Sequence, residues 1–140
     1  MIKGRILAID YGERRMGLAL TDPMQIIASG LKTILVKNDN DAIHQLTPIV
    51  QESEVVHIIL GMPLDPSGAA GAKAQKVKAF SEKLKQRLNI QVTDWDERLS
   101  SVSAKKMLLE TELKKKRRNK EKIDELAAVV ILRHYLDSVR

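Results

Sequence analysis

The stretch that decides the fold of this 140-residue chain is Arg5-Ile6-Leu7-Ala8-Ile9-Asp10-Tyr11-Gly12, in which an apolar run leads directly into a carboxylate and a glycine. A continuous apolar run of this kind predicts a strand buried on both faces. A buried charge without a partner is costly, so Asp10 at the end of the strand needs one. Open α/β sheets bind ligands at the carboxyl ends of their strands, which favours a metal ion as that partner. The alternative is that Asp10 opens a turn beside Gly12, and this strand alone does not decide between the two.

The rest of the chain alternates strand and helix patterns. After the first strand, the predicted elements are strands at 16–20 and 25–36, a helix after the polar break 38–41, a strand at 55–60, a helix at 70–88, a strand at 90–95, and helices at 100–113 and 121–139. We expect Gly30 to bulge or bend the third strand and Pro48 to kink or restart the first helix. A three-stranded meander followed by βα crossovers indicates an α/β fold in a single domain, residues 1–140. Its five-stranded mixed sheet would carry helices on both faces.

Composition narrows the class of protein. The chain is 44% apolar and 30% charged, as in an ordinary globular domain. It has no cysteine, which excludes disulfides, thiolate zinc sites and a cysteine nucleophile. No run approaches the roughly 18 apolar residues of a transmembrane helix. No signal peptide is recognisable at the N-terminus, so we expect a cytoplasmic protein with no membrane partner.

The net charge of +6 comes from one local cluster. Six basic residues account for all of it, and we call them the basic cluster: Lys114, Lys115, Lys116, Arg117, Arg118 and Lys120. Such a cluster can bind a phosphate backbone through release of counterions. The alternative is a solvated loop that only aids solubility.

Three acidic residues are expected to meet at one edge of the predicted sheet. Asp10 and Glu97 each follow a predicted strand, and the carboxyl ends of these strands would lie side by side. Asp124 lies in the first turn of the last helix, on the same face as Ala127 and Ile131, and so would point inward. Three carboxylates could hold Mg²⁺ or Mn²⁺, and two such ions would support an in-line displacement at phosphorus.

Each acid also has a simpler interpretation. Glu97 could be a surface acid paired with Arg98, which would add little stability. Asp124 could merely complement the dipole of its helix. The inward face of that helix is predicted to carry Ile123, Leu126, Ala127, Val130, Ile131 and His134.

Two aromatic side chains, Trp95 and His57, lie in or at the end of predicted strands. Trp95, beside the predicted acidic edge, could stack on a base or simply pack at the end of its strand. His57, inside an apolar strand, is expected to be a satisfied core or edge residue.

Four motifs, in this order, resemble the YqgF family, also called RuvX. They are Asp10-Tyr11-Gly12 with residues 14–20, Gly61-Met62-Pro63-Leu64, Trp95-Asp96-Glu97-Arg98-Leu99-Ser100, and Ile123-Asp124 with Ala127-Ala128. The resemblance implies an RNase H-like fold and a metal-dependent nuclease whose catalytic and metal-binding acids are Asp10, Glu97 and Asp124. Family members are described as candidate Holliday-junction resolvases and as nucleases that mature the 5′ end of 16S rRNA.

The predicted function is therefore metal-dependent hydrolysis of phosphodiester bonds, with precursor 16S rRNA or the small-subunit precursor as partner. The alternatives are a resolvase acting on four-way DNA and a non-catalytic RNA- or ribosome-binding module. We expect a monomer or a weak homodimer. The residues expected to bind nucleic acid are Arg14, Arg15, Arg98 and the basic cluster. A fourth acidic ligand is left open among Asp22, Asp65, Asp94 and Asp96.

Overall fold

The computed structural model describes residues 4–62, 71–96 and 120–139. Its elements, in chain order, are β1 (Arg5–Asp10), β2 (Arg15–Thr21), β3 (Ala28–Leu35), α1 (Asp39–Glu52), β4 (Val55–Met62), α2 (Ala72–Leu88), β5 (Gln91–Asp96) and α3 (Lys120–Ser138). The predicted helix at 100–113 lies outside the described residues. None of the helices in these ranges is long and apolar enough to cross a membrane.

The five strands form one mixed sheet in the order β3-β2-β1-β4-β5. Strand β2 runs antiparallel to β1 and β3, whereas β4 runs parallel to β1 and β5. The meander, the parallel crossovers and the central position of β1 confirm the predicted α/β architecture. The carboxyl ends of β1, β4 and β5 therefore lie at the same edge of the sheet.

One hydrophobic layer covers each face of the sheet. Successive residues of β1 point to opposite faces and therefore contribute to different layers. Leu7 and Ile9 pack with the buried residues of α1 and α2. Ile6 and Ala8 pack with the buried residues of α3. Asp10 follows Ala8 by two positions and therefore lies on the α3 face.

Strand β3 begins at Ala28, three residues later than expected. The carboxylate of Asp22 accepts hydrogen bonds from the amides of Met24, Ile26 and Ile27, at 3.1, 2.8 and 2.7 Å. These bonds hold the residues before Ala28 in a turn. These bonds keep the pKa of Asp22 below its ordinary value. The irregularity expected near Gly30 is present, since the pairing with β2 shifts register there.

Pro48 does not restart the first helix, which was one of the two effects expected of it. α1 is a single helix from Asp39 to Glu52 with Pro48 inside it. Ile43, Leu46 and Val50 are buried against the sheet on both sides of the proline. This packing holds the helix together across the missing amide donor.

The buried face of α3 differs in part from the predicted one. Ile123, Ala127 and Ile131 are buried as expected, whereas Leu126, Val130 and His134 are only partly buried. Among the described residues of α3, the buried face also includes Ala128, Val129, Leu132 and Leu136. The helix lies across β1, β2 and β3, so the surface it covers is wider than a single stripe.

His57 on β4 is satisfied within the fold, as expected. Its Nε2 lies 2.7 Å from the hydroxyl oxygen of Thr93. Its ring also packs against the ring of Tyr135 in an edge-to-face arrangement. Burial lowers the pKa of His57 below its ordinary value of 6.5, because the charged imidazolium is poorly solvated there.

We expect His57 to make the protein less stable in mild acid. Below pH 6.5 the unfolded chain binds a proton at His57 that the folded chain resists, so stability falls as the pH drops toward the lowered pKa. His57→Gln should flatten this acid-side loss in urea unfolding measured over a series of pH values. His44→Gln, at an exposed histidine of α1, should not flatten it. An unchanged pH dependence in the His57 variant would contradict the prediction.

Candidate active site

A cavity of about 460 Å³ opens at the carboxyl end of β1, with residues of α3 and of the start of α2 in its wall. Asp10 and Asp124 both line it, and each residue is only 5% exposed. Three cationic side chains share its wall: Arg14, Arg15 and Lys73. The cavity thus combines buried carboxylates with positive charge, which suits a site that holds a cation and an anion together.

Asp10 reaches this cavity because of its place in the strand register. It is the last residue of β1 and lies opposite Gly17 of β2. On the other side, Ile9 pairs with Leu60, and the next residue of β4 is Gly61. Asp10 therefore has Gly17 directly opposite it on one neighbouring strand and lies beside Gly61 of the other.

Asp124 reaches the cavity because α3 approaches β2 very closely at Gly17. A Cβ atom at Gly17 would overlap the carbonyl oxygen of Asp124 and would lie 2.8 Å from the amide nitrogen of Glu125. Only glycine allows the helix backbone to contact the strand this closely. Since Gly17 is also the cross-strand partner of Asp10, the two acids converge on the same point of the sheet.

Arg15, the first residue of β2, forms an ion pair inside this site. Its Nε lies 3.1 Å from Oδ2 of Asp124, in a geometry that is not that of a hydrogen bond. The carboxylate is nearly buried, whereas the arginine side chain is 37% exposed. The residue predicted to contact phosphate thus contacts one of the predicted metal ligands.

Arg14 lies between the site and a second cavity of about 660 Å³ on the other side of the β1–β2 turn. Lys37, Lys76 and Lys83 also line this second cavity. Tyr11 closes one wall, where its hydroxyl donates a hydrogen bond of 2.9 Å to Asp39. Burial is the main reason that the pKa of Tyr11 lies well above its ordinary value, and the carboxylate of Asp39 raises it further. Lys76 and Lys83 are paired with Glu13 and Asp39, so it is Arg14 and Lys37 that extend the positive charge beyond the acidic site.

Of the acids left open as a fourth ligand, Asp22 is excluded. It follows β2, which runs antiparallel to β1, and so lies at the opposite edge of the sheet from Asp10. Asp94 and Asp96 alternate with Trp95, whose ring packs on the α3 face, so their side chains belong to the other face. Asp65 lies outside the described residues.

Several predicted site residues also lie outside the described ranges: Glu97, Arg98, Lys114, Lys115, Lys116, Arg117 and Arg118. Lys120 begins α3. Within residues 4–62, 71–96 and 120–139, no group of three or more acids, histidines or cysteines is placed to hold a metal. Glu13 also lines the cavity, but it is exposed and paired with Lys76, so the described part of the site supplies two buried carboxylates, Asp10 and Asp124.

These two carboxylates fit a hard divalent cation by their chemistry. Mg²⁺ and Mn²⁺ prefer oxygen ligands, and Mg²⁺ usually keeps several waters when one or two carboxylates bind it. Asp10 and Asp124 offer such oxygens from a strand end and a helix start, both fixed by the packing at Gly17. A metal held there would share its cavity with the cations that line the wall.

Trp95 packs within the fold. It is partly buried on the α3 face, and its ring meets His134 and Tyr135 with centroid separations of 5.7 and 5.5 Å. Both contacts have the edge of one ring facing the other. The structure therefore favours packing, and not base stacking, as the role of Trp95.

Two residues of the site were missed in the sequence. Gly17 lies within a strand, where a glycine often marks a close backbone approach, and that signal was available. Lys73 is an ordinary surface-type lysine in the first turn of α2, and nothing in the sequence distinguishes it. Its place in the wall depends on how α2 packs on the sheet.

A family model described as "RuvX: Holliday junction resolvase" matches residues 4–138 of the chain. Relatives that carry the name "Putative pre-16S rRNA nuclease" include one from Koribacter versatilis, 40% identical over 97% of this chain and 88% of its own length. Another, from Syntrophomonas wolfei, is 45% identical over 95% of this chain and 94% of its own length.

Two solved structures have a similar fold. The T. thermophilus RuvC in complex with Holliday junction substrate has a TM-score of 0.60 at 12% identity and covers 97% of this chain and 95% of its own. The fowlpox virus Holliday junction resolvase has a TM-score of 0.57 at 15% identity, with coverage of 97% and 99%. At such low identity these likenesses concern the fold alone, and they confirm the RNase H-like architecture.

Proposed function

Because this chain belongs to the RuvX family, we propose that it is a metal-dependent endonuclease that hydrolyses phosphodiester bonds in precursor 16S rRNA. The names of relatives that are 40–45% identical over nearly the whole chain support this choice of substrate. The reaction would take place in the cytoplasm on RNA or on a precursor of the small ribosomal subunit.

The observation that carries this proposal is the convergence of Asp10 and Asp124. They come from a strand near the start of the chain and a helix near its end, yet both are buried in one cavity. Burying two carboxylates together is unfavourable unless positive charge offsets their repulsion. Arg15 offsets part of this repulsion through its ion pair with Asp124, and a bound cation would offset more.

We propose that Glu97 completes the acidic set. It comes directly after the end of β5, which lies next to β4. β5 ends at the same edge of the sheet as β1, the edge where Asp10 lies. Asp10, Glu97 and Asp124 would then hold Mg²⁺ or Mn²⁺, with two ions as the expected number. Bound ions of this kind supply an activated water and stabilise the leaving oxygen of an in-line displacement.

The other residues of the site would position the substrate. Arg15 and Lys73 line the same cavity as the acids and would attract the phosphate next to the cleaved bond. Arg14 would extend this contact toward the second cavity. Arg98 and the basic cluster would hold more distant phosphates by charge alone, so binding should weaken steeply with salt.

The test is cleavage of a 16S rRNA fragment that carries its 5′ leader, by purified protein with Mg²⁺ or Mn²⁺. We expect cleavage that EDTA stops and that added metal restores, and we expect Glu97→Gln to lose it. In cells, depletion of the protein should leave 16S rRNA with extended 5′ ends. Wild type should rescue this defect, whereas Asp10→Asn should not. Unchanged rRNA ends together with no cleavage of the fragment would overturn the proposal.

The description of the family supports a second candidate, a resolvase of four-way DNA junctions. Such an enzyme must cut two strands symmetrically, which favours a dimer over a monomer. A synthetic junction tested beside the rRNA fragment, with the oligomeric state measured in the same buffer, decides between the two. If wild type binds RNA but cuts neither substrate, the chain is a binding module.

A further inference from the structure

Arg15 and a divalent cation would compete for the same atom of the site. Oδ2 of Asp124 is buried and lies 3.1 Å from the Nε of Arg15, and Asp124 lines the cavity in which Asp10 also lies. A guanidinium and a divalent ion both carry positive charge and therefore repel each other at contact distance. A metal that binds this oxygen is therefore opposed by Arg15 as long as the ion pair persists.

The position of Arg15 allows it to leave this ion pair. Its side chain is 37% exposed and starts at the first residue of β2, directly after the β1–β2 turn. The same cavity is wide enough for a phosphate group and has Lys73 on its wall. A phosphodiester that enters there would offer the guanidinium a second anionic partner, one that favours the paired hydrogen bonds arginine makes to phosphate.

From this geometry we propose that Arg15 alternates between Asp124 and the phosphodiester of the substrate, so that nucleic acid and metal bind cooperatively. Substrate draws the guanidinium away from Asp124 and releases that carboxylate for the metal. Without substrate the ion pair weakens metal binding. Because coupling between two ligands is reciprocal, metal also strengthens the binding of substrate. This inference rests on the proposed function, since it assumes a metal at Asp10 and Asp124.

The test measures Mn²⁺ binding to the intact protein by the signal of free Mn²⁺ in electron paramagnetic resonance, with no nucleic acid present. Coupling energies between ligands commonly correspond to 5- to 150-fold, and we expect Arg15→Gln to bind Mn²⁺ about 10-fold more tightly than wild type. Arg133→Gln is the matched control, because it removes the same charge from an exposed arginine of α3 that is not among the residues lining this cavity. It should change Mn²⁺ affinity by no more than about 2-fold, and Arg15→Lys, which keeps the charge that opposes the metal, should stay near wild type.

A second arm adds dimethyl phosphate, the simplest phosphodiester, at constant ionic strength. Wild type should bind Mn²⁺ more tightly as the diester is added, and Arg15→Gln should not respond. Equal Mn²⁺ affinity in wild type and both glutamine variants, or no response of wild type to the diester, would overturn the role of Arg15 and leave the metal site standing. If Mn²⁺ binds to none of them, or binds equally to Asp124→Asn, the proposed metal site itself fails.

Discussion

Replacing Asp10 with Asn is expected to lower the rate of phosphodiester cleavage by about 10³-fold or more. A bound metal stabilises a phosphoryl transition state by several kcal/mol, and each 1.36 kcal/mol corresponds to a factor of ten in rate. The amide keeps the shape of the side chain but loses the negative charge that would hold the cation. The measurement is single-turnover cleavage of the 16S leader fragment at saturating protein, with RNA binding followed separately by filter retention.

Asp94→Asn is the matched control for this experiment. It removes the same charge from a strand that ends at the same edge of the sheet, but Asp94 is exposed and lies on the other face. We expect its cleavage rate to stay within about 2-fold of wild type, as for most surface substitutions. RNA binding should survive in both variants, because phosphate contacts dominate affinity. A rate within 10-fold of wild type in the Asp10 variant would rule out a catalytic role for this acid.

Gly17→Ala is expected to damage both stability and catalysis, although Gly17 carries no functional group. The new methyl group would overlap the backbone of Asp124, so α3 must move away from β2. Overpacking of this kind costs about 1–3 kcal/mol of unfolding free energy. Moving a reacting group by 1 Å can cost about 10²-fold in rate, and here the displaced group is the carboxylate of Asp124. Urea unfolding and the cleavage assay, run at a temperature where the variant is fully folded, measure the two effects.

Gly71→Ala tests whether these losses belong to the site and not to glycine replacement in general. A Cβ at Gly71, which precedes α2, would meet no atom within 4 Å. We expect a change in stability below about 1 kcal/mol and an unchanged cleavage rate. If Gly17→Ala behaves like Gly71→Ala, the close contact between α3 and β2 does not position Asp124.

The sheet could be predicted because its signals are local. The apolar run of β1, the turn after Gly12 and the spacing of the later strands each depend on a few neighbouring residues. Together they gave the strand order and the shared edge correctly. The resemblance to a known family added the RNase H-like fold, and the structural likenesses confirm it.

The parts that could not be predicted depend on contacts between distant segments. Arg15 was assigned to phosphate alone, because nothing in the sequence shows that Asp124 comes within 3.1 Å of it. That contact exists because a glycine lets α3 approach the sheet. The wider buried face of α3 likewise reflects the three strands beneath it. Pro48 does not divide α1 into two helices, because residues on both sides of it are buried against the sheet and maintain the helix.

The distance along the chain between Asp10 and Asp124 has a consequence during protein synthesis. β1 leaves the ribosome early, whereas α3 follows only after every other described element has been made. Until α3 is made, the nascent chain therefore carries only one of these two acids. The proposed activity needs both, so we expect the chain to gain it only once α3 has docked on the sheet.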